Sequence, residues 1–196
     1  MTKEIILAST SFIRKKILQD LNINFTVIAP IFDEEKSKEK IAHLNIYDQV
    51  NFLAKNKALS ISKKYPNAMV IGSDQICELG GEIISKSKDR EDAINQLIKL
   101  NNKKHIQNNS IFIYQNSSII ASHYEIAKLK MKNLTQQEII NYVDQDQSWG
   151  SAGSYKFEEN GYKLFEEIEG RKNCILGFAI DSLLQKSPKL DKISRK

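Results

Sequence analysis

Apolar and polar residues follow two different periods along the chain, which predicts strands and helices in alternation. Short apolar runs predict strands at residues 4–8, 25–29, 68–71, 111–114 and 119–130. Apolar residues three or four positions apart predict helices over residues 11–21, 47–64, 89–100, 135–143 and 179–185. Elements that interleave in this way predict an α/β fold: a mixed β-sheet with flanking helices.

Turn-forming residues separate these elements. Gly80 and Gly81 predict a hairpin between two short extended pieces. Thr135 and Glu138 have the spacing of a capping box, which predicts that a helix begins there. The charged segment 31–40 shows no apolar period, and we interpret it as a loop.

The composition is that of an ordinary globular protein, with 41% of the 196 residues hydrophobic and 27% charged. No linker divides the chain, so we expect one domain over residues 1–196 with a basic tail from about residue 187. The apolar run 5–8 is too short for a signal peptide, and no segment reaches the roughly 18 apolar residues of a membrane span. These features predict a cytoplasmic protein without a membrane partner, in which Cys77 and Cys174 are buried, reduced thiols.

The net charge of +5 favours an anionic partner but does not distinguish a nucleotide, a nucleic acid and a lipid surface. Ser9 and Ser11 end the first strand and precede a helix that contains Arg14. Unpaired backbone N–H groups and the positive end of the helix dipole favour a phosphate at such a point. The alternative is a serine N-cap beside solvated basic residues, and this segment alone leaves both open.

Acidic and basic residues near other strand ends extend this pattern. Asp74 lies just past the apolar strand 68–71, where a carboxylate can bind a divalent metal or accept a proton from water. Glu34, in the acidic segment 33–35, is a further candidate for the metal, and Lys57 and Lys86 are candidates for neutralising phosphates. Each is also an ordinary choice for a turn or a solvated loop. These residues alone predict an α/β protein that binds a phosphorylated ligand.

Seven segments, taken in order, resemble motifs of the Maf family of nucleotide pyrophosphatases. They are LASTSFIRK at 7–15, DE at 33–34, KA at 57–58, IGSDQ at 71–75, GEIISK at 81–86, AGSY at 152–155 and IEG at 168–170. The resemblance implies the fold shared with inosine-triphosphatase-like proteins, in which two lobes surround a central cleft. The implied reaction converts a nucleoside triphosphate into the monophosphate and pyrophosphate, with Mg²⁺ or Mn²⁺ as cofactor.

The resemblance also implies roles for individual residues. Asp74 is implied as the proton acceptor or a metal ligand, with Glu34 as a second metal ligand. The residues implied to hold the triphosphate are Ser9, Ser11, Arg14, Lys57 and Lys86. A homodimer is one assembly that the resemblance allows. A nucleic-acid partner is not expected, because the basic residues form no long stripe interleaved with aromatics.

Three residues bear on base selection. Gln75, which follows Asp74, and Glu158 resemble the residues found at these positions in the branch of the family that acts on 7-methyl-GTP. A carboxylate can accept guanine N–H donors and favours a cationic methylated ring. Ile13 stands where that branch has a tryptophan. The alternatives are a dTTP/UTP or broad-range pyrophosphatase of the same family, or a catalytically weakened basic protein that binds nucleic acid or a protein partner.

The chain departs from the family pattern near the expected site. The departures are Phe12, Ile13, Lys15, Ser85, Ser87 and Asn109.

Overall fold

The computed structural model describes residues 4–187 and residue 190, and these residues form a mixed sheet with helices on both faces. The strands are β1 Ile5–Leu7, β2 Thr26–Val27, β3 Met69–Leu79, β4 Glu82–Ile84, β5 Lys104–Gln115, β6 Ser118–Met131 and β7 Phe165–Glu169. The helices are α1 Phe12–Asp20, α2 Glu34–Ile41, α3 Ile46–Ser62, α4 Arg90–Leu100, α5 Gln136–Asp146, α6 Lys172–Ile175 and α7 Ile180–Lys186. A 3₁₀ turn at Gly161–Leu164 precedes β7.

The sheet order is β2-β1-β3-β5-β6-β7, with β4 paired to β3. β1 runs parallel to β2 and β3, whereas β4, β5, β6 and β7 join in antiparallel pairs. The prediction of a mixed sheet with flanking helices is therefore confirmed. The predicted capping box of α5 and the hairpin at Gly80 and Gly81 are present as well.

Alternate residues of the central strands pack into different cores. Leu7 and Ile71 belong to a large core with α1, α4, α5, α6 and α7, whereas Ile6 and Val70 pack against α3 on the other face. Cys77 and Cys174 are buried free thiols, as predicted. Burial raises the pKa of each thiol to about 12, so both remain protonated and unreactive near neutral pH.

Helix α3 lies unusually close to β3 because Gly72 has no side chain. A Cβ atom at Gly72 would lie 2.5 Å from the backbone nitrogen of Ala58 and 2.7 Å from the carbonyl oxygen of Ala54. Any larger residue at this position would push the helix away from the sheet. This contact sets the position of Lys57, the neighbour of Ala58, above β3.

The interpretation of residues 31–40 as a loop is wrong, because α2 begins at Glu34. The carboxylate of Asp33 caps the helix by accepting a hydrogen bond from the Lys36 N–H at 3.1 Å. Acidic residues in the first turn and basic residues in the last turn complement the helix dipole. Capping and charge order specify this helix where apolar periodicity is absent.

The predicted end of β3 is also wrong. The strand was expected to stop at residue 71, whereas only its parallel pairing with β1 stops there, and its antiparallel pairing with β5 continues to Glu78. Asp74 therefore lies inside β3, in the part of the strand that pairs with β5 but no longer with β1.

Two other strands differ in length from the prediction. β2 is limited to Thr26–Val27, and β5 begins at Lys104 instead of residue 111. The basic tail lies almost entirely outside the described residues, and the prediction of one domain over the whole chain stays a prediction. Across residues 4–187 and 190, the helices are too short or too polar to span a membrane.

A polar cluster is buried between the sheet and the segment that follows α5. The Tyr155 hydroxyl accepts a hydrogen bond from Gln107 Nε2 at 2.6 Å and lies 3.0 Å from His105 Nε2. His105 is only 1% exposed. Burial lowers the pKa of His105 from 6.5 to about 4, because the imidazolium form would lose its hydration.

The low pKa of His105 predicts a loss of stability in mild acid. The stabilising contribution is complete above pH 6.5 and declines as the pH falls toward 4, because the unfolded chain then binds a proton that the folded protein excludes. The loss amounts to roughly 3 kcal/mol at 1.4 kcal/mol per pKa unit. The free energy of unfolding, measured with urea at pH 6.5 and 4.5, should decrease less for His105→Gln than for the wild-type protein.

His43, which is exposed, provides the matched control, and His43→Gln should keep the original pH dependence. Equal slopes for His105→Gln and the unchanged protein would contradict the burial argument.

Candidate active site

A cleft of about 1130 Å³ opens above β3, between α1 and α2 on one side and the β4–α4 and α5–β7 segments on the other. It collects all ten residues that the sequence singled out for binding, catalysis and specificity: Ser9, Ser11, Ile13, Arg14, Glu34, Lys57, Asp74, Gln75, Lys86 and Glu158. They come from segments spread over most of the chain. That the fold gathers them in one cavity is the first indication of a shared role.

Lys57 lies between two carboxylates in the cleft. Its ammonium group contacts Asp74 Oδ1 at 2.5 Å and Glu34 Oε2 at 2.8 Å. Asp74 is only 6% exposed and the Lys57 side chain 12%, so water screens this contact poorly. Burial raises the pKa of Glu34, but the ion pairs with Lys57 and Lys38 outweigh it and bring that pKa down to about 2. Glu34 is therefore ionised at any physiological pH.

The turn between β1 and α1 places two hydroxyl groups at the start of the helix. Ser11 is the N-cap, and its oxygen accepts a hydrogen bond from the Arg14 N–H at 3.4 Å. Ser9 Oγ accepts from the Ser11 N–H at 3.1 Å. A hydroxyl that accepts a backbone hydrogen keeps its own O–H for donation, so both groups can donate into the cleft.

Arg14 is anchored to backbone carbonyl groups. Its Nε donates to the Gly177 carbonyl at 3.1 Å, and its Nη1 donates to the Ser73 carbonyl at 2.6 Å. Burial lowers the pKa of Arg14, and the negative charges of Asp74 and Glu34 offset part of that shift. The guanidinium remains cationic at neutral pH. These contacts hold the guanidinium at the wall of the cleft, where its remaining N–H groups are available to an anion.

Lys86 enters the cleft from the opposite side. It follows β4 and forms an isolated antiparallel bridge with Ala152. Gly153 comes next and has a φ of +77°. A Cβ atom there would lie 2.9 Å from the Tyr155 ring and 3.1 Å from Cys77 Sγ, which explains the glycine in this segment. Lys86 is therefore paired with a backbone segment that is itself packed closely.

The three candidates for base selection have different surroundings. Ile13 packs partly against the large core, and Glu158 is an exposed carboxylate at the cleft surface. Gln75 Nε2 donates to the Ile175 carbonyl at 2.8 Å and the Cys174 carbonyl at 3.3 Å. The amide nitrogen of Gln75 thus already has partners within the protein.

Sequence reasoning did not single out several polar side chains at the site, among them Lys38 and Asn109. Lys38 lines the cleft and contacts Glu34 and Glu35 at 2.9 Å each. The i,i+4 spacing of Glu34 and Lys38 could have revealed it, had the segment been recognised as a helix. Asn109, noted only as a departure from the family, is buried and donates to the Asp74 carbonyl at 2.8 Å. No local signal identifies that contact, because its partners are distant in sequence.

The other departures lie in varied surroundings. Phe12, at the start of α1, is 73% exposed, and Lys15 is exposed too. Ser85 lines the cleft beside Lys86. Ser87 is buried, and its Oγ has no hydrogen-bond partner among the described residues.

Charges of both signs line the cleft. The cationic side chains are Arg14, Lys38, Lys57, Lys86 and Lys88, and the anionic ones are Glu34, Glu35, Asp74 and Glu158. No cluster of three or more His, Cys, Asp or Glu side chains that could hold a metal occurs within residues 4–187 and 190. Asp74 and Glu34 nevertheless approach one ammonium group together. Magnesium sites in phosphate chemistry commonly use one or two carboxylates and complete their shell with substrate phosphates and water, so this donor pair fits Mg²⁺ or Mn²⁺.

Residues 4–187 match the family of Maf-like proteins. The nucleoside triphosphate pyrophosphatase of Pelagibacter ubique is 37% identical over 187 residues, which cover 93% of this chain and 96% of that protein. The dTTP/UTP pyrophosphatase of Aquifex aeolicus is 37% identical over 179 residues, 91% of each chain. The 7-methyl-GTP pyrophosphatase of Aliivibrio fischeri is 34% identical over 186 residues, 94% of each chain.

Among solved structures, the Ham1 protein of Staphylococcus aureus aligns with a TM-score of 0.48 at 19% identity, covering 94% of this chain and 100% of that one. The family match spans nearly the whole described chain, and the three relatives align over at least 91% of both partners. The chain therefore belongs to the family of Maf-like proteins.

Proposed function

We propose that this protein is a nucleoside triphosphate pyrophosphatase. It hydrolyses the bond between the α- and β-phosphates and releases a nucleoside monophosphate and pyrophosphate. The observation that carries this proposal is the largely buried Lys57 side chain, whose ammonium lies between Asp74 and Glu34 in the same cleft as Arg14 and Lys86. Relatives from Pelagibacter ubique and Legionella pneumophila, 37% and 32% identical to this chain, bear the name of that activity.

Asp74 is the proposed general base. Its Oδ1 accepts a hydrogen bond from Lys57, which holds the carboxylate against the floor of the cleft. The carboxylate takes a proton from the water that attacks the α-phosphorus, and the oxygen of that water remains on the monophosphate. Such a positioned base contributes on the order of 10²–10⁴-fold to the rate.

Cationic groups stabilise the departing pyrophosphate. Arg14, Lys57 and Lys86 are the proposed contacts, because negative charge builds up on the leaving group as the bond breaks. Ser9 and Ser11 add O–H donors at the N-terminus of α1, whose dipole favours an anion. The proposed location of the reaction is the cytoplasm, where nucleoside triphosphates are available.

Asp74 and Glu34 are the proposed ligands of a divalent cation, Mg²⁺ or Mn²⁺. When bound, the cation would neutralise phosphate charge and increase the acidity of the attacking water. Lys57 holds both carboxylates at the same point before any ligand enters, and the low pKa of Glu34 keeps that group ionised and ready to coordinate.

The preferred base is the finer part of the proposal. Glu158 is an exposed carboxylate at the cleft surface, and a carboxylate favours a guanine ring made cationic by methylation at N7. We therefore favour 7-methyl-GTP, a substrate named for the Aliivibrio fischeri relative. The alternative is dTTP or UTP, named for the Aquifex aeolicus relative of similar identity.

The products of the reaction test the proposed activity. With Mg²⁺ or Mn²⁺, the protein should convert a nucleoside triphosphate into equal amounts of monophosphate and pyrophosphate, as followed by ion-exchange chromatography. Asp74→Asn should lower the rate by on the order of 10²-fold or more, because the amide cannot accept the proton.

Asp144→Asn is the matched control, since Asp144 pairs with Arg90 on an exposed surface outside the cleft. It should retain the original rate. Release of orthophosphate with a nucleoside diphosphate would contradict the assignment of the bond, and an active Asp74→Asn would contradict the assignment of the base.

A second experiment tests the choice of base. Glu158→Gln removes a charge and keeps the size, so kcat/KM for 7-methyl-GTP should fall about ten- to a hundredfold relative to UTP, the value of one charge-assisted hydrogen bond. Ile13→Trp should change the ratio in the opposite direction by adding a ring that stacks on the cationic base.

Glu159→Gln is the matched control. Glu159 is the next residue in the chain, pairs with Lys156, and is absent from the cleft lining. Its substitution should leave the ratio unchanged. If Glu158→Gln and Ile13→Trp both leave the ratio within about twofold, 7-methyl-GTP is not the favoured substrate while the pyrophosphatase activity stands.

A further inference from the structure

Four side chains of the sheet and α1 bind the backbone of residues 174–179, which we call the Gly177 segment. This segment links α6 to α7, and its residues Ile175 and Leu176 line the cleft. The four side chains are Arg14, Ser73, Gln75 and Asn109. All four lie far from the segment in sequence, so the position of the segment is specified by tertiary contacts.

Gln75 caps the preceding helix. α6 has four residues, and the backbone N–H groups that follow it reach the carbonyls of Lys172, Asn173 and Cys174. The carbonyl of Ile175, at the end of the helix, accepts its hydrogen bond from a side chain instead. The side-chain amide of Gln75 donates to the carbonyls of Cys174 and Ile175 at the end of this helix. A helix so short is not stable alone, so its place against the sheet depends on such contacts.

The same segment determines where Arg14 lies. Gly177 has a φ of +80°, and its carbonyl accepts hydrogen bonds from Arg14 Nε at 3.1 Å and Ser73 Oγ at 3.3 Å. A Cβ atom at Gly177 would lie 2.6 Å from Gln75 Oε1. Gln75 thus packs directly against the residue that anchors the guanidinium.

Asn109 connects the far end of the segment to the proposed base. Its Oδ1 accepts a hydrogen bond from the Ala179 N–H at 2.8 Å. Its Nδ2 donates to the Asp74 carbonyl at 2.8 Å and to Ser73 Oγ at 3.2 Å. One buried side chain therefore joins the backbone of Asp74 to the segment that anchors Arg14.

We propose that Gln75 and Asn109 are positioning residues, which lock the Gly177 segment so that Arg14 and Asp74 keep their mutual geometry. This inference rests on the proposed function, and it assigns Gln75 an action through the protein backbone instead of direct contact with the base. A positioning residue affects all nucleotides equally, whereas a base-reading residue affects one base more than another.

Gln75→Met tests the proposal, because methionine keeps the length of the side chain and removes its donors. Hydrogen exchange of the ligand-free protein should become about tenfold faster at the amides of Gly177, Phe178 and Ala179, which are hydrogen-bonded in the structure. kcat/KM should fall about tenfold for every nucleotide that the unchanged protein hydrolyses, with ratios between nucleotides within about twofold. Gln137→Met, on the exposed face of α5, is the matched control and should change neither quantity.

Unchanged exchange in the segment, or a loss of activity confined to one base, would overturn the proposal. If the unchanged protein hydrolyses no nucleotide, the proposed function fails, and the exchange measurement still decides whether Gln75 holds the segment.

Gln75→Ser provides a second variant if the methionine variant does not fold, because its side chain is too short to reach the Ile175 carbonyl. The same three amides should again exchange about tenfold faster than in the wild-type protein. Exchange rates equal to those of the wild-type protein would show that Gln75 does not hold the segment.

Discussion

The absence of a side chain at Gly72 is the constraint on which the site depends. It lets α3 approach β3 until the backbone of Ala58 occupies the space of a Cβ atom. Lys57 is the residue before Ala58, and Asp74 lies two positions beyond Gly72 on the same face of the strand. The 2.5 Å contact between Lys57 and Asp74 follows from that approach, because a helix held farther from the sheet would leave the ammonium short of the carboxylate.

Successive side chains of β3 point to opposite faces of the sheet, so residues of the proposed reaction and residues that bind backbone alternate along the strand. Gly72 and Asp74 face α3, where the helix contact and the ion pair lie, whereas Ser73 and Gln75 face the segment between α6 and α7. Four consecutive residues therefore serve two sides of one strand. A shift of β3 by one residue in register would turn Asp74 away from Lys57 and put Ser73 or Gln75 in its place. An insertion within residues 72–75 would therefore disrupt the site.

The sequence could specify most elements, and the ten residues that it singled out line one cleft, because apolar periods and ordered motifs are local properties of the chain. It could not specify the partners of Arg14, since the carbonyl of Gly177 lies 163 residues away along the chain. Asn109 shows the same limit: it stands in a polar run that looks unlike a strand, yet it pairs in β5 with both Gln75 and Glu125. The polar residues there are satisfied by cross-strand and side-chain contacts that only the folded chain creates. α2 was missed for the opposite reason, because its signals, a cap and ordered charges, are local but are not apolar.

The ion pairs of Lys57 with Asp74 and Glu34 also stabilise charged side chains in a part of the cleft that water reaches poorly. If a buried lysine had a single carboxylate partner, loss of that partner would destabilise the folded protein by about 3–5 kcal/mol. Lys57 has two partners from different elements, Asp74 on β3 and Glu34 on α2, and Glu34 is held in turn by Lys38. When Asp74 accepts a proton in the proposed reaction, Glu34 therefore still neutralises the ammonium. The same redundancy ties α2 to the sheet, so the charges that the proposed chemistry needs are also those that close this side of the cleft.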